Sequence, residues 1–136
     1  MSTLKQIFYV SRSAEDIDDR TIRNILALSR RTNRMLDLTG CLTFTGRHFA
    51  QVIEGREEAL ADLLPRIAAD RRHFEFRLVL DRAVTLREYP LWSMAYLVSQ
   101  ALDSDIEALF ASVEPSARKT QQVMSRLKPD TVVGAL

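Results

Sequence analysis

Cysteine is almost missing from this chain of 136 residues, where Cys41 stands alone. A single thiol cannot close an intrachain disulfide, which fits a reducing cytoplasm and makes that the expected compartment. Glycine and proline number only four each, and no glycine-rich phosphate loop or nucleophile elbow can be built from them. Charge of one sign is lacking too. Nineteen Lys and Arg face eighteen Asp and Glu, leaving a formal net charge of +1, with no electrostatic case for nucleic acid or an anionic membrane. No apolar run approaches the ~20 residues of a membrane helix, and IFYV near the start is too short for a signal peptide. The two histidines, His48 and His73, lie far apart, and Cys41 has no partner at ligand spacing, so no metal site is expected. What remains, 46% hydrophobic and 27% charged residues, describes one ordinary globular domain with a modest core.

Periodicity supplies the elements. Leu4 to Ser11 reads as a strand apolar on both faces, as an inner strand is. Asp16, Asp18 and Asp19 mark a helix start, and Ile22, Ile25 and Leu26 give it a core stripe that Ser29 and Asn33 continue in polar form. That polar end is either a ligand wall or a helix terminus fraying into solvent. Leu38 to Phe44 and His48 to Glu54 form a hairpin around Thr45, Gly46 and Arg47. Leu60, Leu63, Leu64 and Ile67 predict a second helix, with a solvent-facing kink or a break at Pro65. Phe74, Phe76, Leu78 and Leu80 alternate as a fourth strand, and Leu91 to Val98 reads as a fifth. Helices separated by strand pairs indicate an α+β sheet with both helices on one face. Two short amphipathic helices follow, one with Leu102, Ile106, Leu109 and Phe110, the other after Pro115 and Ser116 with Val123, Met124 and Leu127. They either cover the opposite sheet face or form a dimer interface. The expected division is a sensor-sized domain over 1–99, a helical extension over 100–127 and a loose tail over 128–136.

Within this frame Gln51 is anomalous. The segment HFAQVIEG places Phe49, Gln51 and Ile53 on one strand face. A buried amide without partners costs about 1–3 kcal/mol, so something polar should lie over that face. Tyr9, on a face with Ile7 and Ser11, is a second polar candidate, though a core tyrosine with a satisfied hydroxyl would read the same way. His73, with Arg71 and Arg72, has the plain explanation of basic groups at a helix C-terminus, as do Arg30, Arg31 and Arg34 at the first helix.

The pieces FYVS, SRRTN, LTGCL, FAQVIEG, DRRH and WSM, in this order and spacing, resemble the BLUF family of blue-light sensors that use flavin. They run from Tyr9 to Met94, about two thirds of the chain. The resemblance implies a ferredoxin-like βαββαββ sheet and a non-covalently bound flavin, FAD with FMN as the alternative. It implies that Tyr9 yields an electron and, by way of Gln51, a proton to the excited flavin, and that Gln51 is left rearranged with a new bond to the ring. Asn33 would serve the flavin's imide edge, with Ile25, Ser29, Leu42, Phe49 and Gln51 around the ring. Arg66, Asp70 and His73 would reach the ring edge, ribityl chain or phosphate. Met94 and Trp92, two apart on one strand and so expected to share a face, would relay the signal, Met94 by contact with Gln51 and Trp92 pointing either into the site or away from it. Thr32 stands where some relatives carry His or Asn, a departure that bears on one flavin carbonyl contact. The chain ends soon after these motifs, so the expected output is not catalysis but a signal to a separate protein, or through a homo-oligomer. A small flavin reductase and a ligand-free adaptor in which Gln51 simply bonds Tyr9 are the competing readings.

Overall fold

The first strand, β1 (Leu4–Ser13), sits inside the sheet because both its faces are apolar: Ile7 and Tyr9 are buried on one side and Phe8 and Val10 on the other. The computed structural model describes residues 3–111 and 115–127. The remaining elements are α1 (Asp19–Met35), β2 (Thr39–Phe44), β3 (His48–Arg56), α2 (Glu57–Ala68), β4 (His73–Ala83), β5 (Ala95–Val98), a 3₁₀ turn (Gln100–Leu102), α3 (Asp103–Ala111) and α4 (Ala117–Ser125). The five strands run in the order β4-β1-β3-β2-β5. All neighbours are antiparallel except β2 and β5. This is the expected ferredoxin-like arrangement with a fifth strand added at one edge.

Helices α1 and α4 begin at side-chain caps, Asp18 and Ser116. Asp18 accepts from the Thr21 backbone N–H at 2.8 Å and its hydroxyl at 2.7 Å, bonds that lower the Asp18 carboxyl pKa and occupy an otherwise orphan donor. α1 stops before Asp37, whose φ of 54° is left-handed. Helix α2 lacks a side-chain cap but carries Glu57 and Glu58 in its first turn, where the positive end of the helix dipole favours them. Pro65 faces solvent, as expected, within one continuous helix. It lies in the last turn, where few following residues depend on its geometry.

The sheet separates two layers. On one face, Ile7, Tyr9, Leu38 and Ile53 pack with Leu60 of α2, while Leu42, Phe49 and Met94 pack with Ile22 and Leu26 of α1. On the other, Phe8, Val10, Cys41, Ala50 and Val52 meet Ile106 and Leu109 of α3, and Val123, Met124 and Leu127 in and beyond α4. The C-terminal helices thus cover the second face, one of the two roles open to them. The anticipated tail over 128–136 lies outside the described residues. Gly40 allows β2 to approach β3, since a Cβ there would lie 2.0 Å from the Val52 carbonyl oxygen.

Two strands differ from the sequence reading. In β4 the alternation of Phe74, Phe76, Leu78 and Leu80 is broken by register shifts against β1, opposite Phe8/Tyr9 and Val10/Arg12. Each extra residue turns the following side chains over. Phe76 therefore packs on the α1–α2 face and Leu80 on the other, while Phe74 and Leu78 are largely exposed. The fifth strand is only Ala95–Val98, not Leu91–Val98, and Leu91 is 81% exposed. Its approach over residues 84–94 is irregular and held by side chains. The buried Glu54 carboxylate accepts the backbone N–H groups of Glu88 (2.9 Å) and Tyr89 (2.7 Å) and the Gln6 amide (2.9 Å). Arg87 bonds Thr39 Oγ1 at 2.9 Å and the Asp37 carbonyl at 2.8 Å.

Candidate functional site

Between α1, α2 and the sheet lies a cavity of about 280 Å³. Its floor is the face carrying Tyr9, Leu42, Phe49, Gln51 and Ile53, and its walls are Ile25, Ser29 and Asn33 of α1 and Leu63, Arg66 and Ile67 of α2. Asp70, Arg72 and His73 close one end. Tyr9 and Gln51 are register partners across β1 and β3, so their side chains emerge side by side from adjacent strands. The Tyr9 hydroxyl donates to Gln51 Oε1, and Gln51 Nε2 donates to the Met94 sulfur at 3.3 Å. An amide nitrogen carries two protons, so a second N–H remains for a group in the cavity. Tyr9 packs on Phe76, their ring centroids 4.8 Å apart. Burial, with a smaller contribution from the Asp70 charge, pushes the phenol's pKa well above its ordinary value, so Tyr9 is protonated at neutral pH.

The far end is polar and mutually bonded. Arg72 pairs with Asp70 through contacts of 2.5 and 2.9 Å, and this pairing holds the Asp70 carboxyl below the usual range. His73 bridges Ser11 Oγ (2.7 Å) and the Ile67 carbonyl (2.5 Å), joining β1 to α2. Arg66 is exposed and bonds Asp62 at 2.9 Å. Asn33, 2% exposed, donates through Nδ2 to the Ser93 carbonyl at 2.6 Å.

All the residues anticipated as cofactor contacts, from Ile25 to His73, thus line one cavity. Met94 lies beneath it against Gln51. Trp92 is placed otherwise: it packs with the cluster on the α3–α4 face, so Trp92 and Met94 do not share a strand face. Neither belongs to β5, and the irregular backbone at 92–94 sends them to opposite sides of the sheet. Thr32, the position whose departure bears on a flavin carbonyl contact, lines the cavity, as do Leu28, Leu63, Ile67 and Arg72, which the sequence does not single out as contacts. Leu28 and Thr32 extend the Ile25, Ser29 and Asn33 stripe at helical spacing, and Leu63 and Ile67 repeat four apart, so the same periodicity carried the signal. Arg30, read as a helix-end charge, reaches the Met94 carbonyl at 2.9 Å.

An apolar slot with amide and hydroxyl groups along one wall and paired charges at one end suits a flat heteroaromatic ring bearing a polar edge and a charged tail. Residues 4–95 match the profile of a family described as "BLUF: Sensors of blue-light using FAD". The chain belongs to the BLUF family. Among solved structures, BlrB, described as a BLUF protein in its dark state, is 31% identical with a TM-score of 0.77, over 93% of this chain and 96% of that one. BlsA in its photo-activated state, at 20% identity and a TM-score of 0.76 over 91% of this chain and 94% of that one, shares the fold. The blue light- and temperature-regulated antirepressor BluF of Escherichia coli (strain K12) is 33% identical over 62% of this chain and 21% of its own length. Photoactivated adenylate cyclase subunit beta of Euglena longa is 29% identical over 93% of this chain and 13% of its length. The chain therefore spans only a small part of these curated relatives. Its family is thus one of blue-light sensors that use flavin, and among its described residues no helix is long and apolar enough to cross a membrane.

Proposed function

We propose that Tyr9 and Gln51 are the photoswitch of this BLUF protein, acting on FAD held between α1 and α2, and that the switched state is passed to a separate protein rather than to a catalytic step in this chain. The observation that carries this reading is the buried chain from the Tyr9 hydroxyl through the Gln51 amide to the Met94 sulfur, on the floor of the cavity. Ile25, Leu42, Phe49 and Ile67 would clamp the ring, Asn33 and the second Gln51 N–H would face its polar edge, and Arg66 and Arg72 would balance phosphate charge. Bound there, the flavin supplies blue-light absorption and an excited state that accepts an electron.

The protein's part follows from the bonds it makes. Tyr9 is the buried electron donor on the cavity floor, and the proton it loses with the electron leaves along its bond to Gln51 Oε1. A planar amide turned by half a turn, or tautomerised, exchanges donor and acceptor with almost no change in volume. Gln51 can thus hold two bonding patterns between the same neighbours. Met94 accepts from Gln51 in one of them through sulfur, a weak acceptor, so this bond offers little resistance to the exchange. Met94 and Trp92 then connect the two sheet faces, and the Trp92 side meets α3 and α4.

Absorption spectra in darkness and just after blue light test the proposal. The expected result is an oxidised-flavin spectrum with a small red shift that reverses in the dark. In Tyr9→Phe, flavin binding persists and the shift disappears; an ordinary photocycle in this variant refutes the role of Tyr9. Bleaching by a reduced nicotinamide in place of a shift would point to a reductase.

A further inference from the structure

We propose that Arg30 is a positioning residue for the switch: its guanidinium fixes the backbone at Met94 and so holds the Met94 sulfur against Gln51. The inference rests on reading Gln51 as the switch. Met94 is wholly buried although it closes the irregular stretch 84–94. Regular strand pairing reaches only to Ala95, so something else must set which way residue 94 points. Three successive carbonyls do so. Trp92 O accepts from the Gly40 N–H at 3.1 Å, Ser93 O from Asn33 Nδ2 at 2.6 Å, and Met94 O from Arg30 Nε at 2.9 Å.

The last two donors are one helical turn apart on α1, and they differ in one respect. Asn33 lines the cavity and is proposed to serve the ligand, whereas Arg30 is not among the lining residues. A ligand in the cavity therefore does not compete for its bond to Met94. The guanidinium is half-buried, and burial, with Arg34 nearby, pushes its pKa down. A partly desolvated cation on a carbonyl makes a charge-assisted bond, stronger than a neutral one. Without it, the Met94 carbonyl must find another partner, and the cheapest movement is a rotation of the 93–95 backbone that withdraws the sulfur.

The test needs no light in its first arm. In protein labelled with ¹³C at the methionine methyl groups there are four signals, from Met1, Met35, Met94 and Met124. Met124 is buried on the opposite face and serves as an internal standard. Arg30→Leu is expected to move the Met94 signal, assigned with Met94→Leu, while Met124 stays in place. Arg30→Lys, which keeps a charged donor, should restore most of the shift, and Arg31→Leu, on the exposed neighbour, should change neither signal. An unmoved Met94 signal in Arg30→Leu overturns the proposal, and so does a joint shift of Met94 and Met124, which would mean general loosening.

The second arm reads the photocycle. Loss of the part-buried Arg30–Met94 bond is expected to change the rate of dark recovery in Arg30→Leu by roughly fivefold. That change should not increase further in the double variant with Met94→Leu, because both act through one contact. Independent, additive effects overturn the proposal. A wild-type protein without any light-induced shift would defeat the switch reading, while the methyl spectra would still decide the role of Arg30.

Discussion

At the scale of single residues, the sheet's two-residue period decides most of what matters. Counting from Phe49 puts Gln51 under the cavity and Ala50 and Val52 in the opposite core, and the structure has this parity. Gln51→Leu should keep the flavin and lose the red shift. It also strips the Tyr9 hydroxyl of its acceptor in a buried setting, so unfolding in urea should show a loss of about 1–3 kcal/mol. Cys41 lies wholly buried, and burial pushes its thiol pKa to about 12. Since the thiolate is the reactive form, thiol reagents should label the folded protein only at the rate at which it opens; rapid stoichiometric labelling at neutral pH would contradict this burial. Parity was legible wherever the strand was regular. It failed at Trp92, because residues 92–94 lie outside any strand, and the Arg30, Asn33 and Gly40 donors that orient them come from 52 to 64 residues away in the chain.

For the elements, the periods of 3.6 and 2 were enough to find both large helices, the hairpin and the helical pair at the end. What periodicity could not show was the pair of bulges in β4 or the late start of β5. Both depend on partners: β4 is an edge strand fitted to β1 on one side only, and the 84–94 segment takes its path from Glu54 and Arg87. Sequence alone offered two roles for α3 and α4, and hydrophobic matching with Phe8, Val10 and Val52 gives them that of a cover for the sheet. Ile106, fully buried at the centre of that contact, gives a direct measure of it. Ile106→Ala should cost about 2–5 kcal/mol by chemical denaturation. The α1–α2 cavity, built from other residues, should keep its flavin at temperatures where the variant remains folded. Loss of flavin from a folded Ile106→Ala protein would show that the two layers are not separable.

Seen as a whole, the molecule is one sheet with different chemistry on its sides: an apolar slot with a hydrogen-bonded amide on one, a helical cover fastened by charge on the other. The fastening has a clear titration. Glu107 of α3 bonds Arg12 at 2.6 Å and His48 Nε2 at 2.6 Å, and Arg12, ahead of His48, lowers its carboxyl from the ordinary 4.5 to about 2. Asp103 is also lowered: burial acts against it, but bonds from Thr45 and His48 prevail. Carboxylates depressed in the folded state stabilise it fully above their unfolded pKa, and that contribution disappears as pH falls through the folded value. Stability measured in urea should therefore fall between about pH 4.5 and pH 2, and the fall should be shallower in Glu107→Gln. An equal slope in the variant would mean that other carboxylates govern acid unfolding.

The chain's two histidines occupy opposite sides of this sheet. His48 bonds Asp103 and Glu107 beneath α3, and His73 bonds Ser11 and the Ile67 carbonyl at the end of the cavity. An imidazole-selective spectrum of the whole protein therefore contains two voices, one speaking for each side. Illumination that disturbs the His73 resonance alone would describe a change confined to the slot, and simultaneous movement of both would time the arrival of the signal at the helices without any attached label.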